Sequence, residues 1–120
     1  MYFENIRPED IFRQRGNGRG LLIDLRNRDD YTTAHVPGAI CIPYDELRRR
    51  IPELRNWAVQ CKRRFGHAAL ILYCERGNTS LRAARDLYSQ GFHVKNVYGG
   101  FSAYHGPRVQ NSVDGMGKSR

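Results

Sequence analysis

Short runs of consecutive apolar, β-favouring residues recur along the chain, and helix-period patterns fill the intervals between them. This alternation constrains the fold more than any other feature. The runs are YFENI (2–6), LLIDL (21–25), AICIP (39–43) and ALILYC (69–74), with a weaker fifth, VKNVY (94–98). Three of them carry consecutive rather than alternating apolar residues. Strands of that composition are covered on both faces, as in a parallel sheet flanked by helices.

The intervals read as helices. PEDIFRQR (8–15) opens on Pro8, which suits a first helical turn, and follows it with acids near the positive end of the helix. YDELRRRIPEL (44–54) places Leu47 and Ile51 four apart, and Pro52 is expected to end or kink that segment. NWAVQCKRRF (56–65) follows, with Trp57 and Cys61 four apart. TSLRAARDLYSQG (79–91) is the clearest helix: Thr79 or Ser80 is expected to cap it, and Leu81, Ala84, Leu87 and Tyr88 form one face. Gly91 ends it. Strands alternating with helices predict an α/β sandwich with a mainly parallel sheet. One domain is expected over residues 1–105. Residues 106–120, GPRVQNSVDGMGKSR, have no apolar periodicity and are expected to be a disordered tail.

Bulk properties narrow the function classes. A chain of 120 residues holds one ordinary core. No apolar stretch is long enough to span a bilayer, so no membrane partner is expected. The opening MYFENIRPEDIF lacks the apolar core of a secretory signal, and the expected address is the cytoplasm. Three cysteines, with no CxxC pair and no zinc-ligand spacing, argue against a disulfide scaffold or a metal centre. The net charge of +8 fits an anionic substrate or an acidic protein partner. The basic residues read as scattered, with small clusters at 47–50 and 61–64. No nucleic-acid recognition signature accompanies them, which argues against nucleic acid.

Cys74 stands apart from the other two cysteines. It lies at the carboxyl end of the most apolar run, where open parallel sheets place their sites, and where a side chain tends to reach solvent. The loop ERGNTS (75–80) then leads into a helix N-terminus. Gly77 permits a tight turn and Asn78 tolerates left-handed geometry. A loop that curls round its own first residue points backbone N–H groups inward and binds anions, and the helix dipole adds to this. Thiols in such places ionise more readily than free ones. A nucleophilic thiolate that needs no separate base is therefore expected at Cys74, with Arg76 adding positive charge. Cys41, inside AICIP, reads as a buried strand residue, and Cys61 as an apolar-face helix residue.

Three segments together resemble the single-domain rhodanese family. LLIDLRNRDDYTTAHVPGAICIP (21–43) resembles its first signature, a strand ending in Asp-x-Arg followed by a His-x-Pro-Gly-Ala turn. CERGNTSLRAA (74–84) resembles the active-site loop and its helix, and VKNVYGGFSAY (94–104) the closing signature. The resemblance covers residues 2–104. It implies a three-layer α/β/α sandwich and a sulfurtransferase that carries sulfur from thiosulfate to a thiol or cyanide acceptor as a persulfide on Cys74, with no metal or organic cofactor. It also implies a sulfur-binding loop in which the N–H groups of Glu75, Arg76, Gly77, Asn78, Thr79 and Ser80 are donors. Arg76 is placed to hold departing sulfite, and Arg26 lies near the pocket unless it pairs with Asp24 or a loop carbonyl. His35 stabilises its turn. Two positions depart from the family pattern: Ala34 replaces a usual Gly, and Tyr104 a common Trp.

Two other readings share this fold. A phosphatase or arsenate reductase needs an arginine six residues after the cysteine to grip the anion; here that residue is Ser80, and Arg82 falls within the helix. A persulfide carrier serving a protein or a tRNA-modifying partner uses the same cysteine, and the residue pattern does not separate it from an enzyme acting alone.

Overall fold

The computed structural model describes residues 3–15 and 20–110. Within these residues five strands form one parallel sheet: β1 (Glu4–Ile6), β2 (Gly20–Asp24), β3 (Ile40–Cys41), β4 (Ala69–Tyr73) and β5 (Val94–Val97), in the order β1-β5-β4-β2-β3. Among the described residues four α-helices connect them: α1 (Ile11–Arg15), α2 (Arg28–Thr33), α3 (Leu47–Phe65) and α4 (Asn78–Ser89). β4 is the middle strand, and all five of its residues are buried. This is the three-layer arrangement that the consecutive apolar runs predict.

Period-two alternation divides β4 between two cores. Leu70 and Leu72 face α3 and α4, where they meet Leu54, Ala83, Ala84 and Leu87. Ile71 and Tyr73 face the opposite layer, with Ile11, Val36, Phe101 and Tyr104. No helix of the described residues is long and apolar enough to cross a membrane.

Several local expectations change. The two helical segments on either side of Pro52 are one helix of 19 residues. A proline in a helix interior costs about 3 kcal/mol through the lost N–H and a clash with the preceding turn. Burial of Leu54 beyond it, at about 1.5–3 kcal/mol per large apolar side chain, together with the half-buried Ile51 and Trp57, offsets that cost. The run 39–43 contributes only the two residues of β3, an edge strand paired to β2 alone. Cys41 is accordingly half-buried, not a core residue, and the burial in this run falls on Ala39, Ile42 and Pro43. Cys61 is buried in α3 as expected. The buried face of α4 is Ser80, Ala83, Ala84 and Leu87, while Leu81 and Tyr88 are half-buried.

α4 ends as expected. Gly91 takes φ +94, its N–H bonds the Tyr88 carbonyl, and the Phe92 N–H reaches back to Leu87. The segment after Gly106 is tied back over part of its length. His35 and Val109 exchange backbone hydrogen bonds of 2.9 Å, and Tyr104 Oη donates to the Pro107 carbonyl at 2.5 Å. Residues 111–120 lie outside the described residues.

Candidate active site

Cys74 immediately follows β4, so the alternation that points Leu70 and Leu72 toward α4 points Cys74 the same way. The residue is buried, at 5% exposure, and does not stand at the surface as its place at a strand exit suggests. Its Sγ accepts the Gly77 N–H at 3.1 Å and the Ser80 N–H at 3.3 Å. The thiol lies 3.5 Å from Ser80 Oγ, to which it donates, and Ser80 Oγ donates in turn to the Gly77 carbonyl at 3.2 Å. Loss of the thiol proton therefore leaves Sγ with two backbone donors in place.

The helix start explains this geometry. α4 begins at Asn78 with Gly77 as its N-cap, and no side chain of the cap residue bonds the first turn. Thr79 and Ser80, expected as caps, lie inside that turn. The sulfur of Cys74 instead receives the Ser80 N–H, the bond that a Ser or Asp oxygen makes at an ordinary N-cap. Gly77 makes this possible. Its φ of +103 is a left-handed conformation that costs a glycine little.

Of the six loop residues expected to line the site, Gly77 and Ser80 bond the sulfur. The N–H groups of Glu75, Arg76, Asn78 and Thr79 make no hydrogen bond to it. Arg76 and Asn78 are exposed, and Thr79 is half-buried. Arg82 is exposed within α4, so no guanidinium occupies the position that phosphate recognition requires.

Arg26 makes the contacts of the structural alternative, to Asp24 and to a loop carbonyl. Its Nη2 bonds Asp24 Oδ2 at 2.9 Å and the Ala34 carbonyl at 2.5 Å, and its Nε bonds Asp24 Oδ1 at 3.1 Å. The guanidinium lies 4.1 Å over the Phe101 ring. Burial alone would lower its pKa, but the bonded Asp24 carboxylate outweighs burial and holds it above its ordinary value. Arg26 does touch the loop, through Nη1 to Glu75 Oε1 at 3.4 Å. It anchors the first residue of the loop, while its Nε and Nη2 are committed to Asp24 and Ala34.

The closing segment supplies a clasp that the motif alone does not explain. The Phe101 N–H bonds the Cys74 carbonyl at 2.8 Å, and the Ser102 N–H and Oγ bond the Glu75 carbonyl at 2.9 and 2.7 Å. Gly100 lets the two backbones approach: a Cβ there would lie 2.5 Å from the Cys74 oxygen. Ser102 was legible only as part of the Gly-Gly-Phe-Ser run, with no signal of what it would touch.

His35 stabilises its turn. It stacks on Tyr31 at 3.7 Å, and its Nδ1 lies 2.7 Å from the Tyr31 carbonyl. Ala34 is extended, with φ −167, so the absent family glycine costs nothing here. No group of three or more His, Cys, Asp or Glu side chains among the described residues is placed to hold a metal ion.

The sequence matches the Rhodanese-like domain over residues 8–106. The chain belongs to the rhodanese-like domain family. Its fold is shared by the reduced CoADR-RHD protein of Bacillus anthracis, with 33% identity and a TM-score of 0.69. That match covers 85% of this chain but 16% of the longer protein. A rhodanese from E. coli, solved with anions, is 27% identical, with a TM-score of 0.60 over 76% of this chain and 98% of its own. A Staphylococcus aureus rhodanese-like domain protein shares the fold at 20% identity and a TM-score of 0.68, over 92% of this chain and all of its own.

Proposed function

We propose that this rhodanese-like domain transfers sulfane sulfur through a persulfide on Cys74. The observation that carries the reading is the sulfur itself, held by the Gly77 and Ser80 N–H groups at the start of α4. In the first step the Cys74 thiolate attacks the outer sulfur of thiosulfate. The S–S bond of thiosulfate breaks and sulfite leaves with its electron pair. In the second step an acceptor, cyanide or a thiolate, attacks the outer sulfur of the persulfide. The Cys74 thiolate is released, and thiocyanate or a new persulfide leaves. Preorganised N–H donors stabilise the anionic sulfur without reorganisation. The loop N–H groups that do not bond Sγ remain for the outer sulfur, and the exposed Arg76 is the cation nearest in sequence to receive sulfite.

The test is intact mass after thiosulfate treatment without reductant. The expected result is a gain of one sulfur atom, removed by cyanide and absent in Cys74→Ser. A gain from a cysteine desulfurase but not from thiosulfate assigns the domain to sulfur carriage between proteins. No gain from either donor overturns the persulfide mechanism. Arg76→Ala is expected to raise the KM for thiosulfate while leaving the unfolding midpoint unchanged.

A further inference from the structure

The positive charge of this chain is localised. α3 carries seven basic residues and one acidic residue, Glu53, and so holds six of the eight net charges; the remainder of the chain, thirteen basic against eleven acidic, is close to neutral. Arg49 and Arg50 are paired with Glu46 and Glu53. Arg48, Arg55, Lys62, Arg63 and Arg64 are exposed and form no ion pair with any described residue. Arg48, Arg55 and Lys62 recur every seven residues. They therefore lie along one stripe of the helix, with successive cations about 10 Å apart.

A cavity of about 210 Å³ adjoins this stripe. Trp57, Val59, Leu70 and Phe92 line it together with Arg55 and Lys62. Arg55 is already positioned there: its guanidinium donates to the Gln90 carbonyl at 3.2 Å and lies 4.6 Å over the Phe92 ring. The cavity sits at the amino ends of the strands. Leu70 in its wall is four residues before Cys74, which is about 13 Å along β4.

We propose that this face of α3 docks an acidic protein segment, with carboxylates on Arg55 and Lys62 and an apolar side chain between them in the cavity. Single exposed ion pairs are weak, so the apolar anchor supplies much of the affinity and the charges supply approach rate and choice of partner. Nucleic acid would match the charge, but the Arg55 guanidinium already covers the Phe92 ring on which a base would stack. Docking at this end leaves the Cys74 loop open, so the proposal stands independently of the sulfur chemistry.

Trp57 is the only tryptophan of the chain, so its fluorescence reports on this cavity directly. The full chain is titrated with a synthetic peptide of Glu-Leu-Glu repeats. Gln-Leu-Gln and Glu-Gly-Glu repeats and single-stranded polyuridylate serve as comparisons. The Glu-Leu-Glu peptide is expected to bind and shift the Trp57 emission, and the other two peptides to bind at least about tenfold more weakly. Combined Arg55→Glu and Lys62→Glu is expected to weaken binding at least about tenfold, while Arg7→Glu on the other side of the fold has no effect. Arg55→Gln with Lys62→Gln replaces the reversal if circular dichroism shows a loss of helix. Equal binding of Glu-Gly-Glu, tighter binding of polyuridylate, or no Trp57 response at millimolar peptide each overturns the proposal.

Discussion

Removing the Arg26 guanidinium would leave Asp24, which has no solvent exposure, without a counter-ion. Breaking a buried ion pair from one side typically costs about 3–5 kcal/mol, because the remaining charge has lost both water and partner. Arg26→Gln is therefore expected to lower stability by about that amount in urea denaturation. Arg26→Lys should recover only part of it, since lysine cannot make the two-pronged contact or stack on Phe101. A loss within about 0.5 kcal/mol, the range of ordinary surface substitutions, would show that the pair is not the anchor described here. Both variants also release Glu75 from its contact with Arg26, so sulfur transfer should fall even where the domain remains folded. The motif Asp-Leu-Arg was legible in the sequence. Its contacts to Ala34 and Glu75 were not, because those partners come from other segments.

Between elements, the clasp from the closing segment to the Cys74 loop depends on one close approach. Gly100→Ala would drive a Cβ to 2.5 Å from the Cys74 carbonyl and 2.8 Å from Glu75, so one of the two segments must move. Displacements of about 1 Å in a catalytic constellation cost about a hundredfold in rate, and that is the loss expected in sulfur transfer. Gly91→Ala provides the comparison. Gly91 also has positive φ, but a Cβ there meets nothing within 4 Å. It is expected to cost only the left-handed strain of about 1–2 kcal/mol, read as a lower urea midpoint with transfer activity unchanged. Equal activity losses in the two variants would show that general stability, not the clasp, controls the loop.

Across the whole molecule, burial of tyrosines is expected to set the alkaline limit of the fold. Burial, reinforced by the Asp24 charge, pushes the Tyr73 phenol far above its ordinary value, and Tyr73 Oη accepts the Val36 N–H at 3.1 Å. A folded-state value above the unfolded one means that the folded state holds its proton more tightly. The stability this contributes is fully present below the ordinary tyrosine value and is lost as pH rises above it. Urea midpoints are expected to fall as pH rises from about 10 and to go on falling above it. Tyr73→Phe should flatten that fall while lowering stability at neutral pH by about 1–3 kcal/mol, through the unpaired Val36 N–H. Tyr31 and Tyr104, both also raised by burial, leave a residual slope. An unchanged slope in the variant would mean that Tyr73 does not govern the alkaline limb.

What the sequence alone determined is local. Consecutive apolar residues mark covered strands, because burial on both faces tolerates no polar alternation. Gly77 and the helix-period pattern after it place Cys74 at the turn that starts a helix, because backbone conformation and capping act over a few residues. Only the tertiary structure decided the rest. Strand order brings Arg26 to Glu75, 49 residues away, and Ser102 to Glu75, 27 away, and no short-range pattern encodes such pairings. Packing on the sheet carries α3 through Pro52, where local propensity alone would stop it. That continuous helix then gathers basic clusters that look scattered in linear order onto one element beside an apolar cavity. Periodicity records that a face is covered, but the covering partner and the neighbours of each charge follow from how the layers dock.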